Sequence, residues 1–195
     1  MIKIKSAKFV KGIVSDDAIL RDGISQIAFV GRSNVGKSSV INALVNKRDL
    51  VKVSKRPGMT KQINFFLING KFYLVDLPGY GYAKASIEDR EKIRQLILWY
   101  LGKLEARPLN VVLVVDAKAG LTPLDKEMIE ILKEQDHRFA IIANKIDKLN
   151  RREFLSQLDS IKTSSGIEDV FPYSAKTKQG TQALLEKLFS PAIIR

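Results

Sequence analysis

The run Gly31-Arg32-Ser33-Asn34-Val35-Gly36-Lys37-Ser38 has the spacing G-x-x-x-x-G-K-[ST], with Ser39 directly behind it. Gly31 and Gly36 let the backbone curl so that successive N–H groups point at phosphate oxygens. A helix starting at Lys37 adds partial positive charge at the same spot. Lys37 brings a full charge to β- and γ-phosphates, and the Ser38 hydroxyl suits Mg2+. Residues of these types at this spacing hold a nucleoside triphosphate by its phosphates.

Asn144-Lys145-Ile146-Asp147 has the chemistry of a base-recognition loop. A carboxylate at Asp147 can accept from N1–H and the exocyclic amine of guanine. Adenine has an acceptor at N1 and no 2-amine, and would leave that carboxylate unpaired. Lys145 can lay its stem over the base plane. Asn144 can bridge to the base edge or to the phosphate loop. In Ser174-Ala175-Lys176 a backbone N–H can meet guanine O6.

Asp76-Leu77-Pro78-Gly79 suits the γ-phosphate side. Asp76 can hold Mg2+ through water, and Gly79 can bring its N–H to the γ-phosphate. Pro57-Gly58-Met59-Thr60 supplies Thr60, a candidate to close over Mg2+ and the γ-phosphate. Lys37, Thr60 and Gly79 are thus the catalytic candidates. Ser38, Thr60 and Asp76 are the Mg2+ candidates. Loss of the γ-phosphate would release both segments, an order–disorder switch. Arg32 and the basic stretch 47–61 are candidates for phosphate or RNA. Tyr80, Tyr82 and Lys84 form an aromatic-basic tip that could stack on RNA bases.

These groups need a scaffold that brings them to one end. Apolar Ile24–Val30 reads as a strand running into the glycine loop, then a helix over about Lys37–Asn46. Gln62–Ile68 and Lys71–Leu77 flank Asn69-Gly70, a strong hairpin signal because both positions tolerate positive φ. Ser86 with Asp89 opens a helix whose inward face carries Ile93, Leu96, Ile97, Tyr100, Leu101 and Leu104. Asn110–Val115 and Phe139–Ala143 read as buried parallel strands. Thr122-Pro123 opens a helix with Leu124, Met128, Ile131 and Leu132 inward. A helix near Arg151–Lys162, a strand Val170–Tyr173 and a helix near Gln182–Phe189 complete the pattern. Strands alternating with helices predict an α/β fold: a mostly parallel sheet, helices on both faces, one antiparallel edge strand from the hairpin. Ligands of such sheets sit at the carboxyl ends of the strands.

The chain has 195 residues and reads as one domain, 1–195, with a basic N-terminal extension over about 1–22 that could be an edge strand or a tail. There is no cysteine, which excludes disulfides and thiolate sites, and the single His137 excludes paired-imidazole sites. His137 reads as a surface residue at a helix end. No apolar run is long enough to span a membrane, and a reducing cytoplasmic location is expected. The formal net charge of +12 suggests a polyanionic partner, nucleic acid before anionic membrane.

Taken in order, Gly31–Ser39 (GRSNVGKSS), Pro57–Thr60 (PGMT) and above all Asp76–Ala83 (DLPGYGYA) resemble the EngB family (also YsxC or YihA), P-loop GTPases of bacterial ribosome assembly. The resemblance covers nearly the whole chain. The base motif begins with Asn144, where many members carry threonine. The resemblance implies a P-loop GTPase domain, GTP or GDP with Mg2+, and the large ribosomal subunit with its rRNA as partner of a monomer. Ras-type switches carry a glutamine after the glycine of this segment to orient the attacking water. Tyr80 stands there, so slow intrinsic turnover is expected, completed by a partner. Related GTPases with an asparagine at the Asn34 position use it to hold K+, which Asn34 would then do. Two further readings stand beside the switch: a guanine-nucleotide-dependent RNA-binding module with little turnover, and a P-loop ATPase, disfavoured by Asn144–Asp147.

Overall fold

Side-chain alternation along one strand sets the layering. In Ser25–Val30, Ile27 and Phe29 join one buried cluster, while Ala28 and Val30 join the other. A strand buried on both sides belongs at the centre of a sheet covered on both faces. The computed structural model describes residues 4–47, 50–51, 62–106 and 108–189.

In chain order the strands are β1 (Ala7–Ile13), β2 (Ser25–Val30), β3 (Ile63–Ile68), β4 (Phe72–Asp76), β5 (Asn110–Asp116), β6 (Phe139–Asn144) and β7 (Val170–Pro172). The helices are α1 (Lys37–Leu44), α2 (Ile87–Gly102), α3 (Pro123–Glu134), α4 (Arg151–Ser165) and α5 (Thr181–Leu188). The sheet runs β1-β3-β4-β2-β5-β6-β7. β4, β2, β5, β6 and β7 pair in parallel, so their carboxyl ends share one edge of the molecule.

β3 pairs antiparallel with both β4 and β1. Asn69 (φ +52°) and Gly70 (φ +69°) make the tight β3–β4 turn that their residue types predict. The expectation that this hairpin supplies an edge strand is corrected, because β1 covers the outer side of β3.

Apolar residues of α2, α3 and α4 fill the cluster on one face, and those of α1 and α5 fill the other. The Ser86 hydroxyl accepts from Asp89 N at 3.0 Å and starts α2. Ile93, Ile97, Tyr100 and Leu101 face inward as their spacing requires. Leu104 does not: α2 stops at Gly102, and Leu104 is exposed beyond it. Leu124 is also exposed, because the buried stripe of α3 runs through Asp125, Met128, Ile129 and Leu132 instead. His137 is buried rather than on the surface, with Nε2 at 3.1 Å from Leu101 O. It thereby ties the end of α3 to the last turn of α2. Among the described residues no helix is long and apolar enough to cross a membrane.

Candidate nucleotide site

The site grows from the carboxyl ends of β2, β4, β5 and β6. β2 ends at Val30, and Gly31 begins the turn. Gly36 precedes α1 at φ +101°, and a Cβ there would lie 2.5 Å from Asn144 Nδ2, so the position needs glycine twice over. Ser33, Val35 and Ser39 complete the turn around the α1 N-terminus. Val35 is buried, while Asn34 is exposed at φ +67°. The Asn34 side-chain amide makes no hydrogen bond to the described residues.

Lys37 lies along the loop, donating from Nζ to Gly31 O (2.9 Å) and Arg32 O (3.3 Å). Burial pushes its ammonium below the usual lysine range, and nearby Asp76 partly offsets this. Asp76, the last residue of β4, accepts from Ser38 Oγ at 3.0 Å through Oδ2. Its other oxygen is buried with no partner among the described residues. Burial raises the Asp76 carboxyl against the lowering effects of Lys37 and Ser38. An ammonium, a hydroxyl and a half-satisfied carboxylate therefore meet where the phosphate loop enters its helix.

Leu77 and Pro78 continue buried from Asp76, and Gly79 then lies across the phosphate loop. A Cβ on Gly79 would fall 2.9 Å from Ser33 Cα and 3.0 Å from Lys37 Nζ, an approach only glycine permits. Ser33 N donates to Tyr80 O at 2.8 Å. Tyr80 and Arg32 share one buried partner. The Tyr80 phenol is buried and donates to Asp125 Oδ1 at 2.9 Å, and Arg32 Nε donates to Asp125 Oδ2 at 3.0 Å. Both side chains are thereby tied to the start of α3. Burial first, then the Asp125 charge, pushes the phenol far above the ordinary tyrosine range.

The base side is joined to the phosphate side. Asn144 Nδ2 donates to Val35 O (2.9 Å), and Asn144 Oδ1 accepts from Ala175 N (3.1 Å). Lys145, at φ +71°, donates from Nζ to Asn34 O (2.6 Å) and to Asp116 Oδ2 (2.7 Å). Asp147 is exposed and accepts from the buried Ser174 hydroxyl at 2.6 Å. Lys176 follows, exposed. One oxygen of Asp147 is thus steadied by the serine. Pro57, Gly58, Met59 and Thr60 lie outside the described residues.

Two further site residues lie outside the sequence motifs. Asp116 ends β5 and clamps Lys145. Burial raises its carboxyl, but the Lys145 hydrogen bond and charge outweigh this and hold it below the usual carboxylate value. Asp125 is fully buried and completes a capping box with Thr122 while receiving Tyr80 and Arg32. Its one local signal is the T-x-x-D spacing at the start of α3.

Comparison with known proteins agrees with this geometry. The family model described as 50S ribosome-binding GTPase matches residues 26–145, and that of the elongation factor Tu GTP-binding domain matches residues 109–192. The "Probable GTP-binding protein EngB" of Clostridium perfringens (strain SM101) is 42% identical, with 98% of each chain covered. That of Clostridium acetobutylicum is 44% identical over 96% of this chain and 94% of its own. A crystal structure of a probable GTP-binding protein EngB superposes with TM-score 0.75 at 28% identity, covering 88% of this chain and 99% of the other. A phosphate loop strutted to a guanine-type base loop, in a chain this similar over almost all its length, leaves one assignment: the chain belongs to the EngB family of GTP-binding proteins.

Proposed function

We propose that this GTP-binding, GTP-hydrolysing protein is a Mg2+-dependent switch that acts in assembly of the large ribosomal subunit by contacting its rRNA. The observation that carries the guanine-nucleotide part is the Asn144–Val35 hydrogen bond, which makes base loop and phosphate loop one rigid unit. Arg32, Ser33, Asn34, Val35, Gly36, Lys37, Ser38 and Ser39 surround the phosphates. Asn144, Lys145, Asp147, Ser174, Ala175 and Lys176 surround the base.

The Asp76 oxygen buried with no partner among the described residues, beside the Ser38 hydroxyl, fits a hard divalent cation that prefers oxygen ligands. Ser38 would hold Mg2+ directly and Asp76 through water, with Thr60 as a further ligand. Bound there, Mg2+ would neutralise charge on the phosphate oxygens. Lys37 would add its own positive charge as water attacks the γ-phosphorus, the bond to the β–γ bridging oxygen breaks, and GDP and phosphate leave. Gly79 offers its N–H to the γ-phosphate. Tyr80 supports slow turnover, because its phenol is committed to Asp125 and is not available to orient water. The exposed Asn34 amide supports a K+ site beside the phosphates.

The ribosomal partner rests on the family and on the +12 charge. A cytoplasmic monomer fits a protein working on ribosomal particles. Sedimentation with purified large and small subunits, using a non-hydrolysable GTP analogue, GDP or no nucleotide, tests this. Co-sedimentation with the large subunit that strengthens with the analogue is expected. Binding that ignores nucleotide, or none, overturns the switch.

A further inference from the structure

Residues 1–15 and 50–75 contain no Asp or Glu and carry nine Lys or Arg between them, most of the net +12. The fold joins these stretches. β1 pairs with β3 from Ala7↔Ile68 to Ile13↔Ile63 and is the outer strand of the sheet. The described basic residues of these stretches, Lys5, Lys8, Lys11 and Lys71, therefore lie along one edge of the sheet.

The described side chains of that edge are arranged for a strand of anions. Lys8 is exposed on β1 opposite Leu67. Lys5 N donates to Asn69 Oδ1 at 2.7 Å, which brings Lys5 to the hairpin turn where Lys71 is also exposed. Lys47 arrives from the end of α1, with Nζ donating to Ala7 O at 2.6 Å. Lys5, Lys8 and Lys71 form no ion pair with the described residues; Lys11 is the exception, paired with Asp17 at 2.7 Å. Phe9 is 50% exposed, its ring tilted on Phe66 at 5.5 Å between centroids, on the sheet face of α1 and Lys47 and across the strand from Lys8. The β1–β3 register shifts between Phe9 and Lys11. Such an irregularity, with lysines alongside, discourages another protein strand from adding to the edge. An aromatic face flanked by cations is instead how single-stranded nucleic acids are held, bases on the ring and phosphates on the lysines.

We propose that the β1 edge, through Lys5, Lys8, Lys47, Lys71 and Phe9, binds a single-stranded segment of RNA. This rests on the rRNA partner of the preceding section and identifies the surface that meets it.

The full chain with GTP analogue is titrated against a labelled single-stranded RNA of about 12 nucleotides, the scale of one such site. The variants are Lys5→Glu/Lys8→Glu/Lys71→Glu and Phe9→Leu, with GTP affinity as the folding control. The triple variant should bind RNA at least about 10-fold more weakly. Its slope of log Kd against log salt should flatten by about 2, near 0.7 for each phosphate no longer neutralised. Phe9→Leu should weaken binding about 10-fold with an unchanged slope, as removal of a stacking platform does. Variants that bind RNA like the wild type overturn the proposal. So does capture by phosphatidylserine vesicles through the same lysines without RNA binding, which would make the edge a membrane surface. If edge variants still sediment with large subunits, the proposal fails and the ribosomal switch stands. If RNA binds through this edge but the protein ignores large subunits, the edge stands and the ribosomal switch fails.

Discussion

Tyr80 O–H donates to Asp125 Oδ1 across 2.9 Å, joining the segment after Gly79 to the first turn of α3. The other Asp125 oxygen receives Arg32 Nε and the Thr122 N–H, both at 3.0 Å. One buried carboxylate thus holds three segments together, and each donor prevents the others from facing an unpaired charge. Asp125→Ala should lower stability by about 3–5 kcal/mol, because it breaks a buried pair and opens the capping box of α3. Tyr80→Phe keeps the ring and should cost about 1 kcal/mol. Urea denaturation measures both; equal costs would show that the ring, not the hydrogen bond, matters.

Lys145 is held between Asn34 O and Asp116 Oδ2. Asp116→Ala frees that ammonium and should weaken GDP binding about 10-fold, the scale of one charge-assisted hydrogen bond. Asp116 is partly exposed, so the urea midpoint should stay near that of wild type. A fallen midpoint with unchanged GDP affinity would make Asp116 structural.

Burial raises the Asp76 carboxyl in the folded protein, so the native state keeps its proton to higher pH than the unfolded chain. That contribution is fully present below the unfolded value near 4 and is lost as pH rises through the folded one. Asp76→Asn cannot ionise. Without nucleotide it should be more stable than wild type at neutral pH by about 1 kcal/mol, while Mg2+-dependent GTP binding falls. Its stability should also fall less than that of wild type as pH rises above about 4. Matching pH profiles for the two proteins would refute this.

If Asn34 holds K+, GTP turnover should be faster in KCl than in NaCl at equal ionic strength. Asn34→Ala should remove the difference. Equal rates for wild type in both salts dispose of the site.

The parts of the site legible in sequence are those fixed by local geometry. Gly31 to Ser38, Asp76 to Gly79 and Asn144 to Asp147 each do their work within a few residues, so spacing alone exposes them. Asp125 serves Arg32 and Tyr80, which lie 93 and 45 residues away, and no local pattern carries such a pairing. The same reason hid His137, whose partner Leu101 is on another helix. Leu104 and Leu124 failed differently: periodicity marks a face but not where the neighbouring layer begins or stops. β1 was ambiguous because Lys8, Phe9, Val10 and Lys11 lack clean alternation, as an edge strand with an irregular register will.

The hydrogen bond from Asn144 to Val35 spans 109 residues of chain. During translation the phosphate loop is made early, but the side chain that braces it comes much later. At typical synthesis rates the interval is on the order of 10 s. Until β6 has emerged and paired with β5, the loop lacks that brace and the base loop does not yet exist. A nascent copy therefore lacks the base half of its nucleotide site until late in the making of each molecule.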